Sequence, residues 1–428
     1  MFRRFIIIVN IFLIALSFGQ TYNAGVTEEV AELDGYVPVG VRAAGMGGAH
    51  IALAQDWSAA YYNPALLSFV YKNEVSGGLS IRFGDVATSF NSGSSIESDI
   101  SAVKLNNLSG VIAAKVKRGG MAMAVGYYRY QTFDRSAMFD GKRNDGIRVS
   151  ADENIDGGLG AIYFAIGGQA SKYVSFGGTI EGVMGAENYA WDACIFDFGD
   201  TAISDSVFSD NSTKDYAGFT GRFGLAIAPN KYFTWGAIIK FPTIYAIDQE
   251  WVTKTTVNYT NGDQTTDIGD DFIDDISITT PFRFGSGIAV KTAYVNIAAD
   301  AIYTDWRQTG YHGPAEYVDK NPQIDDSYRK TLAFGAGLEF TIPVEFLPIR
   351  LRGGYRYEPL PYENVNVTND KERQFFTGGI AFLIDKKFLL EGSAIYSNWS
   401  RNSITSSNNA VFEEYKITDI YIGMTYRF

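Results

Sequence analysis

The sequence predicts an all-β fold, a transmembrane antiparallel β-barrel of about 14 strands with an N-terminal plug. Three observations carry that expectation: a leader-like N-terminus, apolar and polar residues alternating over stretches of about ten, and a final ladder of apolar residues that ends at Phe428.

The leader sets the compartment. Arg3 and Arg4 precede an apolar run from Phe5 to Phe18, and Ser17-Phe18-Gly19 supplies the small-x-small pattern preferred before cleavage. The run is shorter than the roughly 20 apolar residues of a spanning helix. Residues 1–19 are therefore expected to be a signal peptide, cut after Gly19. Its removal leaves 34 basic against 48 acidic residues, a net charge of −14, which excludes nucleic acid as a natural partner. Cys194 is the single cysteine, so no intrachain disulfide forms. Aromatic residues make up 15% of the chain, as expected where outward faces meet lipid and girdles mark the interfaces.

A barrel strand in a membrane alternates because lipid faces one side and the lumen the other. In the last segment Phe428, Tyr426, Met424, Ile422 and Ile420 alternate with Arg427, Thr425, Gly423 and Asp419. The apolar ladder closing on Phe428, with Tyr426 and Met424, resembles the signal by which such barrels are recognised for insertion. The same pattern recurs upstream: Phe219, Phe223, Leu225 and Ile227 oppose Thr220, Arg222 and Gly224, and Leu332, Phe334, Leu338 and Phe340 oppose Gly335, Gly337 and Glu339. Fourteen such stretches are expected, near 75–83, 110–117, 121–130, 158–167, 173–184, 218–228, 232–242, 283–291, 294–303, 331–340, 349–357, 375–384, 388–396 and 417–428. Six short turns alternate with seven long polar loops, among them 84–109, 130–157, 185–217 and 243–282, which puts both termini on the periplasmic side. A count of sixteen stays open, because 243–259 either extends or adds strands.

Residues 20–72 do not alternate, and the barrel is expected to occupy 73–428. Val39–Ala49 is small and Gly-rich, residues 50–62 offer a short Ala-rich helix, and Asn63-Pro64-Ala65 ends it, since the residue before proline is pushed from helical geometry. Wall side chains alone do not fill the lumen of fourteen strands, so this segment is expected inside it.

The stretch from Ala43 through Gly45-Met46-Gly47-Gly48 to Ala49, with Asp56 and Tyr61-Tyr62-Asn63-Pro64-Ala65, resembles the N-terminal hatch signature of the FadL/TodX family of outer-membrane transporters. Thr280-Pro281, Ala299-Asp300-Ala301 through Trp306, and Leu351-Arg352-Gly353-Gly354-Tyr355 through Pro359 look like that family's strand-end landmarks, in the same order. The resemblance implies a monomeric barrel in the outer membrane, among lipid and lipopolysaccharide and inserted by the barrel assembly machinery. It also implies passive uptake of long-chain fatty acids or other hydrophobic small molecules: ligand is captured at extracellular loops, passed to a lumenal pocket and released by hatch movement, through a lateral wall opening. Asn63, Pro64 and Ala65 map onto the hatch motif, and no pocket residue maps. His50 departs from the apolar residue usual at its place, and acidic loops oppose a carboxylate ligand. The hatch motif also looks like that of PorV-type barrels, which serve protein secretion and surface attachment.

Arg350, Arg352 and Arg356 share one parity on strand 349–357 and are expected to point into the lumen. As ligand-binding candidates they would grip a carboxylate bidentately; the alternative is salt bridging to acids such as Glu339 and Glu391. Asp263, Asp267, Asp270, Asp271, Asp274 and Asp275 lack calcium-loop spacing and are expected in a solvated loop. Tyr127, Tyr128, Tyr130, Tyr396 and Trp399 are expected in an interface belt. Only His50 and His312 exist, neither in a catalytic constellation, so no enzyme, no cofactor and no zinc or other metal site is expected.

Overall fold

The computed structural model describes residues 36–91, 93–196, 202–269, 272–345, 347–362, 367–369, 372–404 and 409–428. The leader expected at 1–19 and the first part of the plug lie outside these residues.

The wall has fourteen antiparallel strands. They are β1 Glu74–Phe90, β2 Ile96–Ala113, β3 in two pieces (Met121–Arg129 and Arg135–Lys142), β4 Arg148–Gln169, β5 Val174–Phe196 and β6 Ile203–Ile227. Then come β7 (Phe233–Lys240, Ile244–Tyr259), β8 (Gln264–Ile268, Phe272–Thr279, Arg283–Lys291), β9 Val295–Asp305 and β10 Lys330–Ile342. The last four are β11 Ile349–Pro359, β12 Glu372–Ile384, β13 Phe388–Ile404 and β14 Ala410–Arg427. The barrel closes where β14 pairs with β1, from Glu74↔Arg427 to Phe90↔Val411. The segment 243–259 thus extends the seventh strand, and the count is fourteen.

A lipid-facing band is visible on the outward parity. Val75, Leu79, Ile162, Phe164, Ile180, Phe219, Phe223, Phe334, Ile422 and Met424 are all exposed, which is stable only against lipid. Crossing needs about 9–11 residues per strand, yet β4, β5 and β6 run for 22, 23 and 25 residues.

The extra length corrects one expectation. Much of 84–109, 130–157, 185–217 and 243–282 is strand, rising above the band as a tower. There the alternation inverts: Phe139, Trp191, Ile195 and Phe208 are buried inside, while Asp152, Asp192, Asp215, Asp248 and Glu250 face out. Water has replaced lipid outside, so the apolar parity turns inward. Of the acid run, Asp263, Asp267 and Asp275 are exposed, and Asp270 and Asp271 lie outside the described residues. Two further expectations fail. Tyr128 and Tyr130 point into the lumen, where the Tyr130 hydroxyl meets that of Tyr245 at 2.9 Å, and Trp399 also faces inward. Tyr396 is exposed toward the band, and Tyr127 shares the outward parity of its ladder partners Leu108 and Ile162.

Inside the barrel lies the segment from Tyr36 to Val70, and Tyr71 and Lys72 emerge exposed before the first strand. It contains α1 (Val41–Ala44), α2 (Ala59–Tyr62) and a 3-10 helix over Pro64–Phe69. Most of its apolar side chains, including Met46, Ile51, Leu53, Leu66 and Leu67, are fully buried.

Candidate functional site

The plug is held by backbone laid directly on glycine-lined wall. Gly47 has φ +62° and an added Cβ would stand 2.4 Å from the Tyr355 carbonyl oxygen, so no larger residue fits there. Across from it, a Cβ on Gly337 of β10 would meet the Met46 carbonyl at 2.4 Å. Gly45 and Gly48 pack against Arg352 and Tyr36 in the same region.

A second anchor is the Asn63-Pro64-Ala65 turn. The Asn63 amide donates to the Ile51 carbonyl at 2.9 Å and to the Leu225 carbonyl of β6 at 3.1 Å, and its oxygen accepts from the Ala65 N–H at 3.1 Å. One side chain thereby caps the 3-10 helix, closes the plug on itself and ties it to the wall. Pro64 supplies the first residue of that helix, where a missing N–H costs nothing. Asp300 of β9 accepts from the backbone N–H groups of His50 and Ile51, the latter at 2.7 Å.

Ion pairs complete the attachment. Glu339 receives Arg42 from the plug at 2.8 Å and Arg352 from β11 at 2.8 Å, and Arg352 also reaches Glu391 at 2.7 Å. Arg356 pairs with Glu358 at 2.6 Å and lies 4.3 Å over the Tyr36 ring. Arg350 is on the same inward parity, in the electrostatic field of Arg42 and Glu339. All three candidate arginines thus belong to the lumenal face, and two of them are engaged by acids. Their alignment was legible from parity, and Glu339 and Glu391 were among the acids expected to pair with them; that Arg42 of the plug shares Glu339 was not legible. Arg222 of β6 was not singled out from the sequence. It pairs with Glu181 at 2.6 Å, donates to the Tyr61 carbonyl at 3.0 Å and covers the Tyr61 ring at 4.0 Å. Its inward parity on 218–228 was the available signal. His50 is sealed in the plug against Tyr62, with ring centroids 5.1 Å apart. Burial, with Arg42 nearby, pushes its imidazole down to about 4.

Above the plug the lumen keeps a cavity of about 180 Å³. Its aromatic lining includes Tyr36, Phe133, Trp306, Phe375, Trp399 and Tyr415. Trp399 stacks on Tyr415 at 3.9 Å and carries the Arg373 guanidinium 4.0 Å from its other side. Charged groups share the lining, mostly in pairs: Arg82 with Asp419 at 2.7 Å, Arg401 with Glu413 at 3.2 Å, Asp134 with Lys104 at 3.0 Å and Glu187 with Lys214 at 3.0 Å.

The cavity abuts a split in the wall. The β2–β3 ladder ends at Asn107↔Tyr128. Above it the backbone ladder pairs β2 with β1 and Arg135–Lys142 with β4, and across the interrupted ladder the two meet through side chains, the Ser98 hydroxyl donating to the Ser136 carbonyl at 3.0 Å. Residues 130–134 bridge the two pieces of β3. Outside the split is a groove of about 470 Å³ that shares Ile100, Asp134, Arg135 and Ile155 with the inner cavity. The groove is polar, with Asp99, Ser101, Asn154, Asn188, Asn211 and Thr213 in its lining; the first apolar outward residues of β2 below it are Val103 and Leu105.

Fourteen closed strands, a lipid-facing band and a filled lumen define a plugged β-barrel of the outer membrane. Among solved structures the chain is similar to the P. putida toluene transporter TodX, with a TM-score of 0.63 at 14% identity over 92% of this chain and 99% of that one. It is also similar to a Pseudomonas aeruginosa FadL homologue, with a TM-score of 0.60 at 11% identity over 91% and 99%. The Ralstonia pickettii toluene transporter TbuX gives 0.57 at 16% identity over 93% and 100%. The likeness to the FadL/TodX group is therefore one of fold, at low sequence identity. No family model and no curated protein matches the sequence.

Proposed function

We propose that this chain is a passive importer of hydrophobic small molecules across the outer membrane, long-chain fatty acids and single-ring aromatics being the two size classes to compare. The observation that carries the reading is a lumenal cavity seated directly on a plug and adjoining a split in the wall between β2 and β3. Ligand captured at the extracellular tower enters the cavity, and displacement of the plug or passage through the split releases it. Support comes from the fold neighbours, which include toluene transporters and a FadL homologue. The reading uses no catalytic residue: His50 is enclosed by the plug and His312 is exposed on a short strand.

The test is uptake of labelled oleate and labelled toluene by cells expressing the full chain, against cells expressing a deletion of residues 20–70. Barrel-dependent entry of either compound is expected; uptake identical with and without the barrel refutes the importer. A PorV-like role in secretion or surface attachment is favoured by one feature, the tall acidic tower. Copurification with secreted proteins, together with no uptake, would establish it instead.

A further inference from the structure

The cavity above the plug also limits what the cargo is, provided the importer reading holds. We infer that its ligand is a small neutral aromatic molecule bearing a hydroxyl group, a phenol, rather than a long alkyl chain or an unsubstituted hydrocarbon.

Size comes first. Pockets that enclose drug-sized ligands are about 300–1,000 Å³, and a single water needs about 10–15 Å³. A cavity of about 180 Å³ lies between these and suits one ring with a substituent. An extended fatty-acid chain exceeds it.

The lining then selects the chemistry. Aromatic walls such as Phe133, Phe375 and the Trp399–Tyr415 stack offer ring faces and edges to a planar guest. Between them stand guanidinium donors, from Arg82, Arg373 and Arg401, and carboxylate acceptors, from Asp134, Glu358 and Asp419. An unsubstituted hydrocarbon pressed among these groups would displace their solvation and return no hydrogen bond, a cost of about 1–3 kcal/mol per buried group. A phenol hydroxyl both donates and accepts, so it satisfies either kind of neighbour.

Charge separates phenol from the aromatic acids. The lining pairs opposite charges at Arg82–Asp419 and Asp134–Lys104, which leaves little demand for an added ion. The approach is acidic as well. Asp99 and Asp156 line the groove outside the wall split, Asp152, Asp192 and Asp215 face out from the tower above the band, and the whole chain carries −12. Such a field repels a carboxylate before it arrives and leaves a neutral guest untouched. The polar groove beside the split favours the same guest, since a hydroxyl keeps its hydrogen bonds on the way in.

The test uses three compounds that share one methyl-substituted ring: p-cresol, toluene and 4-methylbenzoate. Each is labelled and bound to the full chain in lipid nanodiscs, with protein-free nanodiscs as the blank. p-Cresol is expected to bind at least tenfold more tightly than either relative, because a site built around a hydroxyl discriminates strongly against its absence. Arg373→Met and Trp399→Leu are each expected to erase most of that preference. If either variant does not fold, judged by heat-modifiable migration, the wild-type panel still decides. Toluene or 4-methylbenzoate binding as tightly as p-cresol overturns the inference. Cell uptake of the same panel keeps the two readings apart. Barrel-dependent toluene entry without p-cresol preference sinks the phenol site and leaves the importer, whereas p-cresol binding with no uptake of any compound sinks the importer and leaves the site.

Discussion

Glu339 holds two guanidinium groups at once, one from the plug and one from the neighbouring strand. A buried acid shared in this way is costly to desolvate, and removing one member of such a set costs about 3–5 kcal/mol because an unpaired charge stays behind. His50 shows the opposite economy: it is enclosed by the plug as a neutral ring. Its proton affinity falls from an ordinary value near 6.5 to about 4, through burial first and Arg42 second. The unfolded or detached segment therefore takes up the proton before the packed one does. Its contribution is intact above about pH 6.5 and is lost progressively toward pH 4, a total on the order of 3 kcal/mol. We expect amide exchange over Val41–Tyr62, corrected for intrinsic rates, to quicken between pH 7.5 and 5. His50→Leu should flatten that profile; an unaltered acid response in the variant would show that other groups drive it.

At the scale of elements, the plug and the wall meet backbone to backbone, and the inward glycines of the wall make this possible. Gly337 faces the plug and Gly353, on the adjacent strand, faces lipid beside Leu338, so the two test the point as a pair. A Cβ on Gly337 would meet Met46 at 2.4 Å, whereas one on Gly353 finds its nearest neighbour at 4.0 Å. Gly337→Val is expected to push the plug off the wall, seen as faster proteolysis within 40–65 while the barrel stays heat-modifiable. Gly353→Val should leave cleavage at the wild-type rate, and equal protection in both variants would refute this packing. The tower strands belong to this scale too. A search for apolar residues on one outward parity ends at the top of the lipid band, so it misses strands whose apolar parity lies inward. Trp191, Ile195 and Phe208 were all present in the sequence as an alternating set, with the parity reversed.

For the whole molecule, closure is the decisive contact. β1 and β14 pair from Glu74↔Arg427 to Phe90↔Val411, and the Phe428 N–H adds a bond to the Asn73 carbonyl at 3.0 Å. The Phe428 ring stacks on Tyr426 at 5.7 Å, and Tyr426 packs on Phe388 at 4.6 Å. Phe428→Ala is expected to lower the yield of heat-modifiable barrel while leaving uptake per folded barrel unchanged. Reduced uptake at full yield would instead assign Phe428 to transport.

The sequence by itself determined the outward face of the lipid-crossing stretches and the inward parity of Arg350, Arg352 and Arg356, because lipid and lumen impose their preferences residue by residue along one strand. It counted fourteen strands with sixteen left open, and only the pairing of 244–259 with its neighbours closed that choice. It named Glu339 and Glu391 as suitable acids for the same reason of parity. Tertiary structure alone decided that Arg42 shares Glu339 with Arg352, that Asn63 bonds Leu225, and that Trp399 turns from the lipid band into the cavity. Those contacts join positions far apart in the chain, and their register depends on how every intervening strand is staggered. The split between β2 and β3 is of the same kind: whether one strand stays paired with the next is a property of the closed wall.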